Sequence, residues 1–233
     1  MMDDIKNLIK DGKYMSKMLL KNCTFVDGSQ KDILIERGKI TCIDYNIPEE
    51  EDVIINTFDG CYVSAGWIDI HTHCFEKFSL YSDDIDTIGY KSGVTTIIDA
   101  GTSGADDIDE FYEDTKKFKT NVYSLLNISK IGLIRQNELA NMKDIDHNKC
   151  IEACHKYPNF IVGIKARMSK SVVRDNGDLP LFEAIKIANQ VKLPLMVHVG
   201  NPPSNIEVVL NHLRKGDIIT HIFNLKIEIW INI

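Results

Sequence analysis

No run in this chain approaches the ~18 consecutive apolar residues that a membrane span needs. The first ten residues, MMDDIKNLIK, lack the basic-then-apolar order of a secretory signal. Surplus positive charge is missing too. With 27 basic against 34 acidic side chains the formal net charge is −7, so nucleic acid is not an expected partner. The six cysteines form no short-spaced framework in a chain of 233 residues, and reduced thiols in a cytoplasm are the simpler reading. Short-period repeats and low-complexity segments are absent. What remains is an ordinary globular composition, 44% apolar and 26% charged. The length suits one or two domains with a buried core. It is marginal for a complete (β/α)8 barrel, which needs at least ~200 and usually ~250 residues.

Four segments follow from the pattern. Residues 1–17 read as an extension with a short polar helix over 3–12. Residues 18–65 hold four or so short runs of β-branched and aromatic residues, punctuated by Asp27-Gly28, Arg37-Gly38 and Asp59-Gly60. They predict a small antiparallel sheet. From Gly66 the style changes. Six strand-like runs, at 67–73, 94–100, 122–128, 160–166, 194–200 and 217–223, alternate with helical stretches, which predicts βαβ units and a parallel sheet over 66–224. Residues 225–233, LKIEIWINI, alternate apolar and polar like a strand. They follow the sixth strand with no helix between, and a parallel neighbour needs a crossover of a dozen or more residues. The tail is therefore expected to prolong the sixth strand, fold back antiparallel or hang free.

Candidate chemistry gathers at strand ends. His71 and His73 are two apart on a strand, so they share a face with Asp69, and two neutral imidazoles there can reach one divalent cation. Alone the pair is weak, since chance supplies about one in five chains of this histidine content. It gains weight because His198, His221 and Lys165 lie near the C-terminal ends of three other strands, the face that carries the active site in parallel α/β barrels. His147, His155 and His212 fall in helical stretches, where packed or solvated roles are expected. A lysine inside an apolar strand is costly to bury unless altered. Burial favours the neutral amine, which can capture CO₂ as a carbamate, an anionic ligand able to bridge two metals. The plainer alternative is a snorkelling or ion-paired lysine.

Taken together, GWIDIHTHCF, GVTTIIDAGTSG, IVGIKARMS, PLMVHVGNPPS and ITHIFN resemble the amidohydrolase superfamily, in its dihydroorotase-like amidohydrolase/deacetylase branch, over residues 18–224. The resemblance implies a (β/α)8 TIM-type barrel, here incomplete with strands 1–6, and a small N-terminal β-sandwich segment. It further implies two divalent metal ions, usually zinc. His71 and His73 would hold one, His198 and His221 the other, and carboxylated Lys165 would bridge them. The implied reaction is hydrolysis of a carbon–nitrogen, non-peptide amide bond in a small molecule, cyclic or N-acyl, by a metal-bridging hydroxide. Neither nucleic acid nor a membrane is implied as a partner, and a homo-oligomer is left open.

Two departures stand out. Ala65 replaces a usual proline. The family's aspartate on barrel strand 8, its proton shuttle, has no counterpart, which raises the alternative of a truncated, inactive homologue that retains at most metal binding. A foreign, frame-shifted tail is one expectation from this. Asp99 could face the site, but a strand-to-loop turn is the better account of Asp99-Ala100-Gly101. Arg167, two residues beyond Lys165, points the same way and could bind a substrate carboxylate or form a rim salt bridge. Cys74, Cys150 and Cys154 are expected to pack. A deaminase of mononuclear type would not need the lysine, so IVGIKARMS speaks against it.

Overall fold

In the computed structural model, residues 17–48, 53–56, 62–78, 81–200 and 206–222 are described. The expectations for the 3–12 helix and the 225–233 tail lie outside these residues. The chain divides into two units, residues 1–65 and 66–233.

The first unit is a five-stranded sheet. β1 (Lys17–Phe25), β2 (Gln30–Glu36) and β3 (Lys39–Asp44) form an antiparallel meander, while β4 (Val53–Asn56) and β5 (Tyr62–Val63) lie parallel to β1. The expectation of an all-antiparallel sheet is thus corrected. β2 and β3 occupy one edge of β1, and the chain returns to the other edge in the direction of β1. Gly38 has φ +75° and follows Arg37 at φ +51°, the two positive dihedrals that a tight hairpin requires. Asp32, buried on β2, ties the unit together by accepting the amides of Asn22 and Ile47, both at 2.9 Å.

The second unit carries a six-stranded, all-parallel sheet in sequential order. Its strands are β6 (Trp67–Thr72), β7 (Val94–Ala100), β8 (Asn121–Asn127), β9 (Ile161–Met168), β10 (Leu195–Val199) and β11 (Ile218–Thr220). Between them run α1 (Ile85–Ile88), α2 (Ile108–Thr115), α3 (His147–Lys156), α4 (Lys170–Val173), α5 (Leu179–Val191) and α6 (Ile206–His212). The stretch before Tyr157 is less helical than its composition predicts: 3₁₀ turns at 132–134 and 142–144 precede α3.

Strand alternation splits the apolar residues between two faces. Ile97, Leu126, Ile164, Ala166, Leu195 and Val197 join the main core on the helix side. Ala100, Leu125 and Met196 form a small cluster on the opposite face, with Ile98 and Ile218 against it. That opposite face is concave. Flat strands spaced ~4.8 Å apart would put the edges of a six-stranded sheet about 24 Å from each other. Instead His71 Nδ1 of β6 lies 2.7 Å from Thr220 Oγ1 of β11. The sheet is a partial barrel whose first and last strands meet through side chains.

Candidate metal centre

Pairing register sets the inward groups side by side. Lys165 aligns with Asn127 on β8 and Met196 on β10. His198 aligns with Arg167 on β9 and Thr220 on β11. Alternation then brings Lys165, Arg167, Met196, His198 and Thr220 onto one face. His221 should face away, one residue beyond Thr220. It does not, because its backbone turns into the left-handed region at φ 66°. This conformation is uncommon for a residue with a side chain and often marks a functional site.

The result is a cluster of imidazoles. Ligand-capable atoms of His71, His198 and His221 all lie within 4.8 Å of one another. The ring of His221 is 4.9 Å from that of His71 and 4.5 Å from that of His198, centroid to centroid. His73 flanks the group, 5.7 Å from His71. Lys165 Nζ sits 3.3 Å from His71 Nε2 and 3.2 Å from Met196 Sδ. All five predicted ligand residues therefore stand at one end of the sheet, with His73 the outlying member.

Electrostatics favour ligand forms. Burial, then the charge of Lys165, lowers the pKa of His71 to about 4, and of His73 and His198 to about 3. His221 is lowered by the same two causes. Burial, reinforced by Arg167, brings Lys165 down to about 7 against the opposing pull of Asp99 and Glu138. Neutral imidazoles and a neutral amine are what a cation and CO₂ require. The donor set suits zinc or a similar divalent ion. The Lys165 amine is fully buried, and among the described residues its hydrogen-bond contacts are an imidazole and a thioether. An amine so placed is costly to keep as an ammonium ion.

Arg167 is 6% exposed and is held by Glu138, itself buried. Nε donates to Oε1 at 2.7 Å and Nη2 to Oε2 at 2.6 Å, while Nη2 also donates to the Gln136 carbonyl at 2.9 Å. The edge that would grip a carboxylate with two hydrogen bonds is taken, which leaves Nη1. Tyr81 completes this wall. Its ring lies 5.6 Å from that of His73 and 5.9 Å from the Arg167 guanidinium carbon, and its hydroxyl accepts from Gln136 Nε2 at 2.9 Å.

Sequence reasoning missed Glu138, Gln136 and Tyr81, which come from loops without periodic signal. It also missed the polar support behind the histidines. Asp99 shares the helix-side face with Ile97, is fully buried, and accepts from Cys74 N at 2.9 Å and from Thr102 N and Oγ1, both at 2.7 Å. It does cap a turn, as expected, and it also reaches His73 through Thr102 Oγ1, 2.8 Å from Nδ1. Cys74 is buried beside it, and burial, then the charge of Asp99, raises its thiol pKa. Cys150 and Cys154 pack in the core, where burial pushes their thiols to about 12 and 11. His147 pairs with Glu183 at 2.7 Å, and His212 Nδ1 lies 2.7 Å from the Val208 carbonyl, both away from this cluster.

No protein-family model matches the sequence. A curated deacetylase of Enterococcus faecalis is 46% identical over 210 residues, covering 90% of this chain and 57% of its own length. A solved structure described as an adenine deaminase superposes with a TM-score of 0.86 at 46% identity, over 90% of this chain and 57% of its own. A dihydroorotase structure follows at 0.84 and 34% identity, over 90% of this chain and 58% of its own. The chain spans about half the length of the curated relatives it matches. These relatives carry the names of hydrolytic enzymes and lend no support to an inactive homologue.

Proposed function

The chain belongs to the amidohydrolase superfamily, and from that premise we propose that it serves the metal-dependent hydrolysis of a non-peptide carbon–nitrogen bond in a small molecule, an N-acyl compound or a cyclic amide. One observation carries the proposal: strand ends far apart in sequence bring His71, His198 and His221 within 4.8 Å of one another, around a buried lysine amine. His71 and His73 would hold one divalent cation, His198 and His221 a second, and Lys165 would join them as a carbamate. Zinc is the ion this donor set suits best.

The amine nitrogen of Lys165 adds to the carbon of CO₂ and releases one proton, which gives the carbamate anion. Divalent cations held by these residues would acidify a bound water toward hydroxide near neutral pH and would polarise the scissile carbonyl. The protein's own groups orient the substrate. The Tyr81 hydroxyl already accepts from Gln136, so its proton is left to donate to a substrate oxygen. Arg167 offers Nη1 as a single donor to an anionic substituent, with Glu138 fixing its plane. Asp99 is consumed by three donors and is assigned no part in proton transfer.

The test is turnover by the purified, zinc-loaded chain on N-acetyl amino acids, dihydroorotate and adenine. Release of acetate or ring opening supports the proposal. Adenine as the sole substrate would favour the deaminase reading, which the name of one structural relative raises. No turnover with full metal content would contradict hydrolysis by this chain.

A further inference from the structure

We propose that Asp99 and Thr102 are positioning residues that hold His73 in the tautomer protonated on Nδ1, leaving its Nε2 as the coordinating atom. The inference rests on the metal-binding reading above, but it concerns a property of the metal-free chain.

A proton count carries it. The amide of Thr102 donates to Asp99 Oδ1 and the amide of Cys74 to Oδ2. Amides can only donate, so both carboxylate oxygens act as acceptors. The Thr102 hydroxyl gives its single proton to Oδ2. Toward His73 Nδ1, 2.8 Å away, Thr102 can then present only a lone pair. Nδ1 must carry the proton, and Nε2 is bare.

Thr102 is also held so that it cannot turn away. It is fully buried, and Gly101 before it has φ +81°, which folds the chain back toward Asp99. The Leu133 amide donates to the Thr102 carbonyl at 2.9 Å, and a side chain at Gly132 would meet that carbonyl at 2.4 Å. Asn127 Nδ2 donates to the Gly101 carbonyl at 3.0 Å. Hydrogen bonds to the distal nitrogen of a ligating imidazole fix its tautomer and ring plane, and their loss typically weakens metal binding about 10–100-fold.

The experiment uses the full chain without metal, then zinc. Two-bond ¹H–¹⁵N spectra report which ring nitrogen carries the proton, with His73 assigned from His73→Gln. That ring is expected as Nδ1–H. Thr102→Val should move His73 toward Nε2–H. In competition with a chelator, Thr102→Val should lower zinc affinity about 10–100-fold, and Thr102→Ser should recover both readouts. His73 found as Nε2–H in the wild-type chain overturns the proposal, and that spectrum decides even if Thr102→Val does not fold. A Thr102→Val chain with unchanged tautomer and zinc affinity overturns it as well. An Nδ1–H ring at His73 in a wild-type chain that takes up no zinc would support the positioning while contradicting the metal-binding reading.

Discussion

Replacing Gly101 by alanine puts a methyl group where the stem of Lys165 now lies. A Cβ built at Gly101 would sit 2.7 Å from both Cβ and Cγ of Lys165. Carbon atoms in ordinary contact stay ~3.5–4.0 Å apart, so the two segments must separate by about 1 Å. Lys165 has little room to yield. It is fully buried, with Nζ between His71 Nε2 at 3.3 Å and Met196 Sδ at 3.2 Å. The backbone adds its own cost, since φ at Gly101 is +81° and a left-handed residue with a Cβ loses about 1–2 kcal/mol. Overpacking costs about 1–3 kcal/mol more, for a combined loss of about 2–5 kcal/mol. With a urea m-value of about 3 kcal/mol/M, the unfolding midpoint should fall by roughly 1 M. Zinc affinity should fall with it, because the displaced stem carries Nζ. Circular dichroism through a urea series and a zinc titration read the two effects. A midpoint within about 0.2 M of wild type, with zinc affinity unchanged, would refute the packing of Lys165 against Gly101.

Glu138→Gln strips the buried Arg167 of its counter-charge and should cost about 3–5 kcal/mol. The apolar pair Glu138→Leu with Arg167→Met should cost much less, and a double variant as unstable as the summed singles would contradict the coupling. The Asp217 carboxyl is held below its ordinary range. Burial opposes this, but hydrogen bonds from the Arg214 guanidinium and the amides of Leu195 and Arg214 outweigh it. Its contribution is complete above the unfolded value of about 3.9 and is lost as pH falls through the lower folded value. Asp217→Asn should therefore lose about 2 kcal/mol at pH 7, with the gap closing below about pH 4; urea midpoints that diverge in acid would contradict the sign. At the left-handed His221, Asn should be tolerated and Val should cost about 1–2 kcal/mol more, read as the difference between two melting curves.

Much of this architecture is legible in the residues because it rests on short-range periodicity. Six apolar runs separated by helical stretches announce the parallel sheet, and histidines or a lysine at strand ends announce the rim. What escapes depends on where the chain returns in space. Glu138 lies in a long segment between β8 and α3, and nothing local says that it will meet Arg167. Thr102 and Thr220 look like ordinary strand-end threonines until their hydroxyls are seen beside imidazole nitrogens. His221 breaks the two-residue period through one backbone dihedral, which no pattern of apolar positions encodes. The parallel pairing of β4 with β1 escapes for a similar reason: strand composition alone carries no direction.

One buried lysine and four histidines make up the proposed binuclear cation site. The most direct test of that site is the zinc content of the folded, purified chain in bicarbonate-containing buffer, beside that of Lys165→Ala. About two zinc ions per wild-type chain, falling to one or fewer in the variant, is the predicted result. A folded wild-type chain that retains no zinc, or a variant whose zinc content is unchanged, would contradict the account.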